Sequence, residues 1–217
     1  MGRLTNSEIL AAGLDDWSKL AQALHARYRI PDFPAGAAFV TAVAAAAEEA
    51  GHHPDLTLTY GSVGVALSTH DEGSWVTEKD LALARTISRL AAEHGLTPDP
   101  GSVLQVELGL DTAARERIGP FWSAVLTGSA DHLIEDTVLD PTGQAPSVWF
   151  QGSDEHAEPR QRWHLDVWVA PETAQSRIDA ALAAGGVLVD DREAPSFVVL
   201  ADPDGNKACI CTALDRG

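Results

Sequence analysis

Basic residues are scarce: 15 Lys and Arg stand against 32 Asp and Glu in 217 residues, for a formal net charge of −17. A phosphate-binding surface needs clustered Lys and Arg, and no such run occurs, so a nucleic-acid partner is excluded and a small, uncharged or cationic ligand is expected. Long apolar runs are absent too. A membrane span needs roughly 20 apolar residues, whereas the alanine-rich run over residues 42–47 is short and followed by Glu48-Glu49, so no membrane association is expected. The first residues carry one Arg and no apolar segment, unlike a secretory signal. Cysteine is nearly missing. Cys209 and Cys211 are the only two and lie two apart in a strand-like stretch, where side chains share a face and a bridge would be strained. Reduced thiols and a cytoplasmic location are the expectation.

With 45% hydrophobic residues the chain can build one large core or two small ones, and two compact domains are expected. The expected boundaries are 1–97 for the first domain, 98–102 for a linker and 103–217 for the second. The linker belongs to a stretch, residues 94–102, that gathers two prolines, two glycines and polar residues after a helical pattern. Before it, Thr5 with Glu8 forms a capping-box signature, and residues 17–30 read as a strand. Residues 34–50 read as a helix with Phe39, Val43 and Ala47 on one stripe. Residues 56–68 alternate about Gly61-Ser62 as a hairpin does, and residues 77–93 read as a second helix with Leu83, Ile87 and Leu90 facing inward. The expected fold class is α+β, with helices on one face of an N-terminal antiparallel sheet.

The second half shows a weak internal repeat. A strand over 103–110 leads into a helix through Phe121-Trp122 to Gly128, and a strand over 163–169 leads into a helix through Ile178 and Leu182 to Gly185-Gly186. Strand-like stretches follow each helix: 134–139 and 147–151 in the first copy, 187–190, 197–201 and 207–212 in the second, with a hairpin signal at Asp204-Gly205. Paired βαβββ modules result.

The chemistry-bearing residues concentrate in the first half. Reading from Glu48, the order is His52-His53-Pro54, Tyr60, Thr69-His70 and Asp80. Histidine gives and takes protons near neutrality, so three of them gathered with two carboxylates suggest proton transfer. His53 precedes proline and is pushed to extended geometry, so the side chains of His52 and His53 should diverge. Adjacent histidines with no cysteine nearby make a poor zinc site, and no metal is expected there. The bland alternative is a helix C-terminus that favours His, Gly and Pro for its dipole and its stop signal.

Glu48, the His52-His53-Pro54 triplet, Tyr60, the Ser68-Thr69-His70-Asp71 strand end and Asp80 resemble the pterin-4a-carbinolamine dehydratase (4a-hydroxytetrahydrobiopterin dehydratase) family. Trp17, Phe33, Phe39 and Val43 fit its framework, and the likeness runs over residues 10–96. Tyr28-Arg29-Ile30 departs from the family's aromatic-x-aromatic pair, and Gly73-Ser74-Trp75 replaces a glycine pair and Leu. The resemblance implies elimination of water from a 4a-hydroxytetrahydropterin. It implies acid/base roles for His52, His53 and His70, with Glu48, Pro54, Thr69 and Asp80 orienting them or holding the pterin. It also implies a pterin substrate and no cofactor or metal, a homo-oligomer, and a functional link to an aromatic amino-acid hydroxylase.

In the second half Phe121-Trp122, His164-Leu165-Asp166 and Asp202-Pro203-Asp204-Gly205-Asn206 resemble the vicinal oxygen chelate superfamily, specifically its glyoxalase-like domains. Its metal-using members place ligands on the first and last strands of each repeat. Here His164 matches one position, Leu104 stands at its equivalent in the first repeat, and Cys209 replaces an expected Glu. Gln105, Glu107 and Gln151 are near misses. The incomplete set implies no bound metal and a ligand-binding or assembly module, with Trp122, Trp149, Trp163 and Trp168 lining a pocket or filling the core. Two other readings stand beside the enzyme. In one, the first domain is a non-catalytic assembly or pterin-sensing scaffold. In the other, a metal-dependent lyase or dioxygenase resides in the second domain.

Overall fold

A computed structural model describes residues 2–70, 74–127, 129–143, 145–155, 163–183, 186–201 and 207–216. The chain divides into two compact units, one formed by Met1–Leu104 with Val169–Thr173 and Thr212–Gly217, the other by Gln105–Trp168 with Ala174–Cys211.

In the first unit, α1 (Asn6–Leu10) opens on the Thr5–Glu8 capping box, as the sequence pattern predicts. Residues 17–30 form two strands rather than one, β1 (Trp17–Leu20) and β2 (Ala23–Arg29), because Ala21 takes a positive φ of 44° and folds the chain back on itself. Next come α2 (Phe33–Ala50), β3 (Asp55–Leu58), β4 (Ser62–Leu67) and α3 (Glu78–Glu93). The sheet order is β1-β2-β4-β3, antiparallel throughout. The segment read as a linker is used by this sheet: β5 (Thr97–Pro98) pairs with Tyr28 and Arg29, and Asp99 accepts a bond from Arg27 at 2.5 Å. A 3-10 turn over Pro100–Ser102 follows.

Alternate residues of β2 and β4, namely Leu24, Ala26, Tyr28, Val63, Val65 and Leu67, turn to one face. There they meet Phe39 and Val43 of α2 and Leu83, Ala84 and Ile87 of α3 in a single core. Tyr28 is fully buried edge-on to Phe39, with ring centres 5.4 Å apart. Its hydroxyl lies 3.3 Å from both Asp16 and Ser88.

The second half of the chain begins with β6 (Leu104–Thr112) and α4 (Arg115–Thr127), then a short hairpin β7 (Leu133–Ile134) and β8 (Thr137–Val138) where one strand was expected, and β9 (Val148–Gly152). The second copy is β10 (Trp163–Val169), α5 (Pro171–Ala183), β11 (Val187–Asp190), β12 (Phe197–Ala201) and β13 (Lys207–Cys211). One eight-stranded mixed sheet results, ordered β11-β12-β13-β10-β6-β9-β8-β7. Each module contributes a parallel pair, β6 with β9 and β10 with β13, as a strand-helix-strand connection requires. Gly128, Gly185 and the Asp204-Gly205 turn lie outside the described residues.

Alternation decides which tryptophans do what. Trp122 and Trp163 join Leu108, Leu110, Val148 and Phe150 on the helix-covered face, with ring centres 5.1 Å apart. Trp149 and Trp168 bond to carboxylates instead.

Candidate active site

The site is assembled where α2 ends and β4 ends. Gly51 closes α2 in the left-handed conformation (φ 57°), which any side chain would strain. The N–H of Gly51 bonds to the Glu48 carbonyl and that of His52 to the Ala47 carbonyl, a Schellman closure that fixes the direction in which the histidines leave the helix. The β3–β4 register pairs Asp55 with Ala66. Just beyond that pair, His52 and Thr69 both reach the Asp80 carboxylate.

Asp80 is the hub. It is the third helical residue of α3, completely buried, and closes a capping box with Thr77. One carboxylate oxygen, Oδ2, accepts from the Thr77 amide at 2.7 Å, the Thr77 hydroxyl at 3.0 Å and the Thr69 hydroxyl at 2.8 Å. The other, Oδ1, lies 2.7 Å from Nε2 of His52, itself only 8% exposed. A buried carboxylate is tolerated when its acceptor sites are filled in this way. The helix N-terminus adds a favourable field.

His53 diverges from His52 as the proline rule predicts. It is exposed, with Nε2 at 3.0 Å from Glu48 Oε1 one turn back along α2. His70 is exposed at the end of β4, with Nδ1 at 3.4 Å from the Ser74 hydroxyl. Thr69 and Trp75 exchange both backbone hydrogen bonds, pinning the ends of the loop between them. The Arg3 guanidinium lies 3.8 Å above the Trp75 ring. Pro54 is half-buried, whereas Tyr60 is 96% exposed at the far end of the β3–β4 hairpin, away from the histidine-bearing end. Asp71 and Gly73 lie outside the described residues.

The sequence pattern of the family described as Pterin 4 alpha carbinolamine dehydratase matches residues 2–90. A curated relative from Chloroflexus aurantiacus, provisionally named a pterin-4-alpha-carbinolamine dehydratase, is 47% identical over 92 residues, which are 98% of that protein and 42% of this chain. The chain belongs to the pterin-4-alpha-carbinolamine dehydratase family. A second dehydratase relative, from Streptomyces coelicolor and named in the same provisional way, is 49% identical over 84 residues, 83% of that protein. The crystal structure of a transcriptional coactivator/pterin dehydratase from Brucella melitensis is 36% identical, covering 99% of that chain and 42% of this one, with a TM-score of 0.40. Beyond this dehydratase portion, residues 107–211 match the glyoxalase-like domain family.

Within the dehydratase unit, the structure brings His52 and Thr69 onto the two oxygens of one carboxylate, Asp80, and pairs His53 with Glu48. Thr77 is the residue that sequence reading missed. Its side chain and amide both serve Asp80, and the signal was present, since Thr77 stands three residues before an acidic residue at a helix start.

The second unit has its own polar face, on the side of the sheet opposite α4. Glu107 is buried, accepting from the Ser147 hydroxyl at 2.9 Å and from the Trp168 indole at 2.8 Å. Asp166 accepts from the Trp149 indole at 2.9 Å. His164 stands beside Asp166 and Asp111, its ring centre 5.4 Å from that of Trp149. Among the described residues, the group able to offer three metal donors is His164, Asp166 and Cys209.

Proposed function

We propose that the first unit dehydrates a 4a-hydroxytetrahydropterin to the quinonoid dihydropterin by histidine acid/base catalysis. The carrying observation is the contrast between neighbouring imidazoles: His52 is buried on Asp80, and His53 is exposed on Glu48. Family membership supplies the substrate class.

The reaction needs a base for the proton on N5 and an acid for the departing 4a-hydroxyl. The N5 lone pair forms the C4a=N5 double bond as the C4a–O bond breaks, and the hydroxyl leaves as water. His53 and His70, both exposed, are the groups a pterin can reach. Glu48 holds one nitrogen of His53 and leaves the other to exchange a proton with the ligand. His52, sealed against Asp80, supports the site from below and presents its remaining ring nitrogen. Thr69 and Thr77 fix Asp80, and through it His52. An acid or base placed in this way is worth about 10²- to 10⁴-fold each.

Stopped-flow absorbance on chemically generated 4a-hydroxytetrahydropterin tests the reading. Wild type should accelerate dehydration and His53→Ala should lose most of that acceleration while keeping its circular dichroism spectrum. No acceleration by wild type would leave a dehydratase-shaped scaffold.

A further inference from the structure

We propose that Ser74 is a positioning residue for His70: its hydroxyl accepts a hydrogen bond from Nδ1–H, so that Nε2 is the nitrogen that exchanges a proton with the ligand. The proposal rests on the dehydratase reading of the first unit. Ser74 lies in the Gly73-Ser74-Trp75 stretch that departs from the dehydratase pattern, standing where that pattern has a glycine, so the hydroxyl is a feature of this chain.

The juxtaposition comes from the strand end. Thr69 and Trp75 exchange both backbone hydrogen bonds, at 2.7 and 3.2 Å, as a hydrogen-bonded antiparallel pair does. The next residues on each side, His70 and Ser74, therefore lie together on the face opposite Thr69. The Thr69 hydroxyl turns inward to Asp80. His70 turns outward and is exposed, with Nδ1 3.4 Å from the Ser74 hydroxyl. At that length the bond is long, as catalytic hydrogen bonds often are before the ligand arrives and tightens them.

A hydroxyl can donate or accept, and the chemistry decides which. An imidazole that exchanges a proton at one nitrogen keeps the proton on the other throughout, and its partner there fixes the tautomer. With Nδ1 on Ser74, the retained proton is on Nδ1 and the working nitrogen is Nε2. Glu48 does the same for His53 from the other side of the ring. An ionised carboxylate only accepts, so Nε2–H is retained there and Nδ1 works. The two exposed histidines thus present opposite ring nitrogens, one held by a charged acceptor and one by a neutral acceptor.

The test uses the full chain labelled with ¹⁵N on histidine, His70→Gln assigning the signals. At a pH of about 8.5, where imidazoles are neutral, the His70 ring should show a protonated Nδ1 and a bare Nε2. Ser74→Ala should move it toward the other tautomer, and Ser74→Thr, which keeps the hydroxyl, should restore it. In stopped-flow dehydration, Ser74→Ala should lower kcat about three- to tenfold, the worth of one neutral hydrogen bond, with KM unchanged and the rate recovered in Ser74→Thr. A wild-type ring protonated at Nε2, or a Ser74→Ala variant that keeps either the wild-type tautomer or the wild-type rate, would overturn the proposal. The expected tautomer in a wild type that does not accelerate dehydration would support the Ser74 bond and sink the dehydratase reading, so the two failures are told apart.

Discussion

Asp80 in the first unit and Glu107 in the second are both buried carboxylates whose oxygens are filled by hydrogen bonds, yet the donors come from different distances along the chain. Asp80 takes two from Thr77, three residues back, and one from Thr69, eleven residues back. Glu107 takes one from Ser147, 40 residues on, and one from Trp168, 61 residues on. The first arrangement is a helix cap extended by one strand end, so it forms with local structure. The second exists only when three strands of the sheet have come together. Burying charge imposes the same requirement in both places, and the fold meets it once by local geometry and once by topology.

The largest effect that would sharpen this contrast is catalytic. His53→Ala should lower the dehydration rate about 10²- to 10⁴-fold with an unchanged urea unfolding midpoint, because the side chain is exposed; a comparable loss of stability would show that the histidine is structural. Next comes Asp80→Ala, which strands His52 and the threonine donors. Removing one partner of a buried pair costs about 3–5 kcal/mol, and equilibrium urea unfolding should show it in the first unit. A near-neutral result would mean that water replaces the carboxylate and that the cap is dispensable.

Trp168→Phe keeps the ring and deletes the donor to Glu107. A hydrogen bond to a charged group contributes about 1.5–3 kcal/mol, so the second unit should melt earlier while dehydration by the first is unchanged. Coupled loss of both would break the division into independent units.

The smallest effect is a pH dependence. Burial, and secondarily the Lys19 charge, pull His25 on β2 down to about 4. The unfolded chain therefore binds a proton at His25 between about pH 6.5 and 4 that the native state refuses. Stability from this group is complete above pH 6.5 and declines as pH falls through that window, by about 1 kcal/mol once solvent screening at this only partly buried ring is allowed for. His25→Gln should flatten the slope, and an unchanged slope would assign it to other groups.

Much of the first unit was legible in its residues. The Thr5–Glu8 box, the Phe39–Val43–Ala47 stripe and the alternation about Gly61-Ser62 each state a local preference that the fold keeps. The ordered Glu48, His52, His53, Thr69 and Asp80 followed from a motif. Less legible were the turn at Ala21, which depends on a positive φ at a residue that rarely adopts one, and the β5 pairing, since Thr97-Pro98 reads as a linker until β2 offers its edge. The four tryptophans of the second unit could not be sorted from sequence, because pocket and core positions differ only by which sheet face each side chain takes.

The sequence by itself determined the α+β character, the two-part organisation, the family of the first half and the residue types of the candidate site, because periodicity, capping and residue spacing are local properties that the chain carries in any conformation. Only tertiary structure decided that His52 is sealed on Asp80 while His53 stays open on Glu48. It alone also brought Ser147 and Trp168 onto Glu107, because burial and donor geometry depend on strands that meet far apart in the chain.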